Sequence, residues 1–263
     1  MAGRPVLRLI RDSFPDPPVL DTAISHALLR RVADGTEPPT LRLHRPGDVV
    51  AFGPLDRLQP GYAAAVEAAR DRGFGAVQRL AGGRAAVFHR GTIAFSWAVP
   101  DPSPRLRIRE RFGEVAGIVT AAFRDLGVDA RVGAVAGEYC PGDHSVNARG
   151  RTKLMGVGQR IVLRAAHVGG VIVVDGSDRI RDVLLPVYRL LGLDWDPTTA
   201  GSVEDEIGPV AWETVLEAVR SAFAERYELV DGTVGDELLA LAEELEGVHA
   251  VTALDAEATR SPG

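Results

Sequence analysis

Apolar positions along the chain change period several times, and each change marks an element. Over 21–32 (DTAISHALLRRV), Ala23, Ala27, Leu28 and Val32 fall on one face at helical spacing, with Asp21 as N-cap and Gly35 as the stop. Residues 40–45 alternate as a half-buried strand, and 49–53 form a short apolar strand ended by Gly53-Pro54. An alanine-rich helix follows over 62–72, stopped by Gly73. Residues 75–80, 85–89 and 92–99 read as strands. Ala81-Gly82-Gly83-Arg84 separates the first two, and Arg90-Gly91 makes a hairpin of the last two. A rigid polar loop at 100–104 leads to a long amphipathic helix over 107–126. Strands at 129–136, 144–148, 154–163 and 167–174 come next, with Arg149-Gly150-Arg151 as a turn. From residue 177 the period is helical again, over 178–191, 203–207, 212–227 and 234–245.

Short links between successive strands predict an α+β fold with a mixed, mostly antiparallel sheet flanked by helices. No Pro/Ser-rich linker interrupts the chain, so 1–255 reads as a single catalytic domain, with the helices of 178–247 either part of it or a small lobe. Residues 256–263 have the composition of a flexible tail.

Composition narrows the function classes. Hydrophobic residues make up 46% of the 263, enough for a real core. The net charge of −6, with both signs interspersed, argues against a nucleic-acid partner. No apolar run approaches the ~20 residues that span a bilayer, and no signal peptide is evident at the N-terminus. One cysteine makes no internal disulfide, in keeping with a reducing compartment. These features together predict a soluble cytoplasmic protein. Metal-ligand spacing is absent, so no metal is expected.

Candidate chemistry concentrates between residues 137 and 160. Cys140 sits in Gly137-Glu138-Tyr139-Cys140-Pro141-Gly142-Asp143, a loop composition. A lone cysteine is often a small buried hydrophobe, but loop placement favours a reactive thiol. Lys153 is the only lysine among 30 basic residues. The remainder are arginine, so a retained lysine points to chemistry that needs a compact ammonium and not a planar fork. The paired Gly82 and Gly83 let backbone N–H groups approach a ligand, although a glycine turn is the commoner reading. His89 on the next strand is more often structural than a base.

Several stretches, taken in order, resemble the lipoate–protein ligase and octanoyltransferase superfamily, which shares its catalytic fold with biotin protein ligase. Residues 21–29 resemble its opening helix, 39–43 its first strand and 50–53 its second. Gln78-Arg79-Leu80-Ala81-Gly82-Gly83-Arg84-Ala85-Ala86-Val87-Phe88-His89 resembles the "RRxxGGGAVFHD" signature that shapes the lipoyl pocket. Thr152-Lys153-Leu154-Met155-Gly156-Val157-Gly158-Gln159-Arg160 resembles the "xKxxGxAQR" strand, and His167-Val168-Gly169-Gly170 stands at the "HGxxL" turn. Gln78, Arg84 and Arg90 depart from the pattern.

The resemblance is closest to a branch in which a loop cysteine takes the acyl group as a thioester. It implies Cys140 and Lys153 as catalytic residues, and Arg79, Gly82, Gly83, Arg84, Val87, His89, Asp143, Gly156 and Gln159 around the substrate. It implies transfer of an octanoyl or lipoyl group onto a lysine of a lipoyl domain, with no cofactor. The partners implied are lipoyl carrier proteins, namely the glycine cleavage H protein and E2 lipoyl domains, or acyl carrier protein. Two alternatives remain. One is an ATP- and Mg-dependent ligase whose Lys153 holds the acyl-adenylate. The other is a non-catalytic protein that binds lipoyl domains or fatty acids.

Overall fold

A computed structural model describes residues 3–251. In chain order the elements are β1 (Val6–Ile10), α1 (Leu20–Asp34), β2 (Thr40–His44), β3 (Val49–Phe52), α2 (Tyr62–Arg70), β4 (Gly75–Gln78), β5 (Ala86–Phe88), β6 (Thr92–Pro100) and α3 (Ile108–Asp125). They continue with β7 (Ala130–Val132), β8 (Val146–Ala148), β9 (Thr152–Val162), β10 (Ala165–Val173), α4 (Ser177–Leu190), α5 (Val203–Ile207), α6 (Trp212–Ala224), β11 (Glu228–Gly232) and α7 (Asp236–His249). The expected tail at 256–263 lies outside the described residues.

Two sheets form among the described residues. The larger has eight strands in the order β11-β1-β2-β6-β10-β9-β8-β7, and the smaller has three, β4-β3-β5. Only β1–β11, β1–β2 and β3–β4 pair in parallel, so the fold is mixed and mostly antiparallel, as expected. One face of the large sheet packs Leu43, Phe95, Trp97, Met155 and Ile172 against α3 and α6. Ala98 and Ala165 of the opposite face join a second core with α1 and α7. The small sheet packs Val50, Phe52 and Val87 on α2 and α4.

Register places small and polar residues over the rest of that second face. Gly158, Gly169, Ser96 and Arg42 stand directly across neighbouring strands, and the next row is Gly156, Val171, Ala94 and His44. Three strand spacings separate β9 from β2, about 14 Å. The glycines leave room along this face for a chain to lie across it.

Four local expectations are corrected. The second glycine-punctuated turn is no hairpin: β5 pairs with β3 in the small sheet, while β6 belongs to the large one. The buried His89 ring takes the N–H of Gly91 and packs beside Gly176, turning the chain from one sheet to the other. Nor do Gly82 and Gly83 join paired strands, because β4 and β5 flank β3 on opposite sides. Asp21 lies inside the first turn of α1 and not at its cap, where Val19 stands. Finally, β2 is buried along its whole length, because Asp21 of α1 covers and pairs with Arg42. The strands β1 and β11 had no counterpart in the sequence reading.

Candidate functional site

The loop from Val135 to Ser145 is built around one buried carboxylate. Glu138 accepts from the Val135 N–H at 3.0 Å, the Gly142 N–H at 3.1 Å and the Ser145 hydroxyl at 2.7 Å. Its side chain has no exposed surface, and its cation is Lys153, whose Nζ lies 3.1 Å from Oε1. Both ammonium and carboxylate are thus paired and hydrogen-bonded, the condition under which buried charges persist.

Lys153 reaches this position because β9 carries a bulge. Asn147 pairs with Lys153 but the adjacent Val146 pairs with Met155, leaving Leu154 as the extra residue. Leu154 and Met155 both enter the α3-side core. Strict alternation would have put Lys153 in phase with Met155; the bulge puts it in phase with Gly156 and Gly158 on the other face. A Cβ on Gly156 would sit 3.2 Å from Lys153 Cε, so this glycine makes room for the lysine stem. The ammonium also donates to the carbonyls of Tyr139 at 3.0 Å and Cys140 at 2.7 Å. Burial pulls it below the ordinary ammonium range, against the opposing charges of Cys140 and Glu138.

Cys140 has φ +42, a conformation non-glycine residues rarely adopt. Its N–H donates to the Tyr188 hydroxyl at 2.9 Å, which in turn donates to the Ala85 carbonyl at 2.9 Å. Its sulfur accepts from the Arg84 N–H at 3.2 Å and from Arg79 Nη1 at 3.4 Å. Burial pushes the thiol up, but the charges of Arg79 and Lys153 and the two N–H donors outweigh it and hold the thiol below its ordinary range. Gly83, at φ +114, lets the loop approach: a Cβ there would lie 2.8 Å from both the sulfur and Arg79 Nη1. The Arg84 side chain turns away to the buried Asp56 at 3.3 Å.

From Arg79 a narrow cavity of about 90 Å³ runs along the glycine face. Arg79, Leu80, Ala81, Gly169, Ala94 and Phe88 line it, and Asp21 and His44 wall its far end. A Cβ on Gly158 would meet Ala81, Arg79 and the Gly82 carbonyl near 3.0 Å, which locates the cysteine end of the slot on β9.

The structure therefore brings Cys140, Lys153, Arg79, Gly82, Gly83, Arg84 and Gly156 together, and leaves four expected site residues elsewhere. Val87 points into the core of the small sheet; Phe88, next along β5, lines the slot instead. His89 holds the turn already described, its pKa pushed down to about 4 by burial. Asp143 is exposed at the loop tip. Gln159 accepts from Arg111 Nε at 2.9 Å and Nη2 at 2.6 Å, tying β9 to α3 on the far side of the sheet.

The description "Lipoyl protein ligase A/B catalytic domain" matches residues 17–223. The chain belongs to that family. An octanoyl-[GcvH]:protein N-octanoyltransferase of Oceanobacillus iheyensis is 26% identical over 204 residues, covering 74% of this chain and 72% of its own. An octanoyltransferase LipM of Brevibacillus brevis is 25% identical over 264 residues, covering 87% and 90%. Among solved structures, protein Ta0514 from T. acidophilum with bound lipoic acid superposes with a TM-score of 0.73 at 22% identity, covering 92% of this chain and 95% of that one. Lipoate-protein ligase A bound with ATP gives 0.70 at 21%, covering 92% and 94%. These two likenesses establish the lipoyl ligase fold.

Within this family member, Glu138 and Tyr188 are the site residues that sequence reasoning missed. Glu138 stands two residues before the cysteine, where an acid reads as a solvated loop residue. Tyr188 is on α4, 48 residues away, with no local signal at all.

Proposed function

We propose that the protein is an acyltransferase that moves an octanoyl or lipoyl group between lipoyl carrier proteins through a thioester on Cys140. The observation that carries this is the environment of the sulfur: a lone thiol touched by a backbone N–H and by Arg79, the residue that also lines one end of a slot with an apolar lining. The octanoyltransferases named above supply the reaction class.

In the first step the Cys140 thiolate attacks the acyl carbonyl of the donor's acyl-lysine. The acyl–nitrogen bond breaks, the acyl–sulfur bond forms, and the departing amine takes up a proton. In the second step an acceptor lysine attacks the thioester, the acyl–sulfur bond breaks, and a proton is released as the thiolate returns. The N–H groups of Gly82 and Gly83 donate to no backbone carbonyl among the described residues and are available to the oxyanion. Lys153 supplies positive charge to the thiol and holds the cysteine loop through the Tyr139 and Cys140 carbonyls.

The ligase alternative is less well supported. The three N–H donors of Lys153 are all taken, by Glu138 and two loop carbonyls, so the ammonium has none left for a phosphate oxygen. We therefore read the transfer as needing neither ATP nor Mg, carried out in the cytoplasm by residues 1–255 acting as one catalytic domain. Acyl carrier protein remains a second candidate donor. The test offers either octanoylated H protein, or free octanoate with ATP and Mg, together with an apo lipoyl domain. Modification only from the first supports transfer. Modification and pyrophosphate release from the second would establish a ligase.

A further inference from the structure

Two leucines stand in the open at one end of the large sheet. Leu106 is 85% exposed and Leu163 is 82% exposed. Leu163 occupies the tight turn between β9 and β10, and Leu106 the loop after β6. The two segments are joined where the Asp101 N–H donates to the Arg164 carbonyl at 2.8 Å. The loop of Leu106 is also fixed from inside. Buried Arg111 donates to Asp101 and to the Pro104 carbonyl, and the Ser103 N–H donates to Asp101 at 2.8 Å. Both leucines are therefore presented by ordered backbone, at the cost of keeping apolar surface in water.

The rim is basic. Arg105, Arg109, Arg160 and Arg164 are all exposed, and none forms an ion pair among the described residues. This local excess of positive charge lies on a chain whose net charge is −6. It complements an acidic protein surface and disfavours association with a second, acidic copy of this chain. Leu163 lies five residues along β9 from Gly158, about 16 Å at strand rise, and Arg160 stands between them on the slot face. A folded domain seated on the leucines thus reaches the cysteine end of the slot.

We propose that Leu106 and Leu163, with the four arginines, form the docking face for an acidic acyl-carrying protein domain, and that donor and acceptor carriers occupy it in turn. The proposal rests on the transfer reading above and adds where the carriers bind. One slot with one docking face makes the two carriers competitors for the same surface.

The test uses the full chain, a Leu106→Ser/Leu163→Ser variant and an Arg105→Glu/Arg164→Glu variant. All four positions are exposed, so the fold is retained. KM is measured for the octanoylated carrier and for the apo acceptor, and Cys140 acylation is measured separately with an octanoyl thioester of a small thiol. We expect KM for both carriers to rise by about tenfold or more in each variant. Wild-type KM should also rise with salt, and the charge-reversal variant should lose that dependence. Acylation by the small thioester stays at the wild-type rate. Wild-type carrier KM in both variants, with normal thioester acylation, overturns the docking face alone. Unchanged carrier kinetics, together with phosphatidylglycerol-vesicle binding that the wild type shows and both variants lose, would reassign the face to a membrane. If neither donor acylates wild-type Cys140, the transfer reading falls and the face falls with it.

Discussion

Lys153 meets Cys140 through the backbone: its ammonium donates to the cysteine's own carbonyl oxygen at 2.7 Å, while the sulfur is held from the other side by Arg84 N–H and Arg79. The lysine fixes the loop and adds charge; the arginine segment addresses the thiol directly. These are separable roles, and they give separable predictions.

Glu138→Gln keeps the shape of the loop and removes the charge that balances Lys153. Breaking a buried pair from one side costs about 3–5 kcal/mol. Chemical denaturation should show a loss of that order, and transfer activity should fall with it. Lys153→Arg should fail as well, because a planar fork does not fit a site 1% exposed that was shaped for a single ammonium. Wild-type stability in Glu138→Gln would mean that the carboxylate is not the centre of the loop.

The two adjacent glycines should respond in opposite ways. A methyl at Gly83 collides with the sulfur and with Arg79 at 2.8 Å, on a backbone of positive φ. At Gly82 nothing lies within 4 Å. Gly83→Ala should therefore lose transfer by about a hundredfold or more, and Gly82→Ala should stay within a few-fold of wild type. Equal effects at both sites would contradict the close approach of this loop to Cys140.

Arg79→Gln removes the larger of the two positive charges that favour the thiolate. Alkylation of Cys140 by iodoacetamide, followed against pH, should have its midpoint below that of an ordinary thiol in the wild type and shifted upward in the variant. A midpoint that does not move would show that Arg79 is not what lowers it.

Buried histidines set the acid limit of stability. Burial pushes His44 and His167 down to about 3 and His89 to about 4, from an ordinary value of 6.5. Between those values the unfolded chain binds protons that the folded chain refuses. Stability is then full above about pH 6.5 and falls as pH drops toward 4, each histidine contributing up to about 1.4 kcal/mol per pH unit. The urea midpoint at pH 5 should lie below that at pH 7. An equal or higher midpoint at pH 5 would mean that the folded state accepts these protons.

Most elements could be read from the sequence because each has one apolar face and its own period. What failed has a physical pattern. Half-exposed β11 offers little apolar contrast, and its pairing with β1 joins segments more than 200 residues apart, which no local pattern announces. The turn at Arg90-Gly91 has hairpin chemistry, but only the packing of His89 decides that the strands beside it enter different sheets. Cys140, Lys153 and the glycine loop were legible as a family pattern. The bulge that buries Lys153 was not, because one extra residue at Leu154 reverses the faces of β9 without a local signal. Val87 was misplaced by a single residue for the same reason: alternation says that one of Val87 and Phe88 lines the slot, and not which.

The central claim is that the Cys140 sulfur carries the acyl group between carriers. Incubation with an octanoylated carrier, without acceptor, followed by intact-mass and peptide mapping, tests it directly. The account predicts one octanoyl mass on the peptide containing Cys140, lost on addition of an apo lipoyl domain and absent from Cys140→Ser. Undiminished transfer to the acceptor by Cys140→Ser, with no adduct on the wild type, would contradict it.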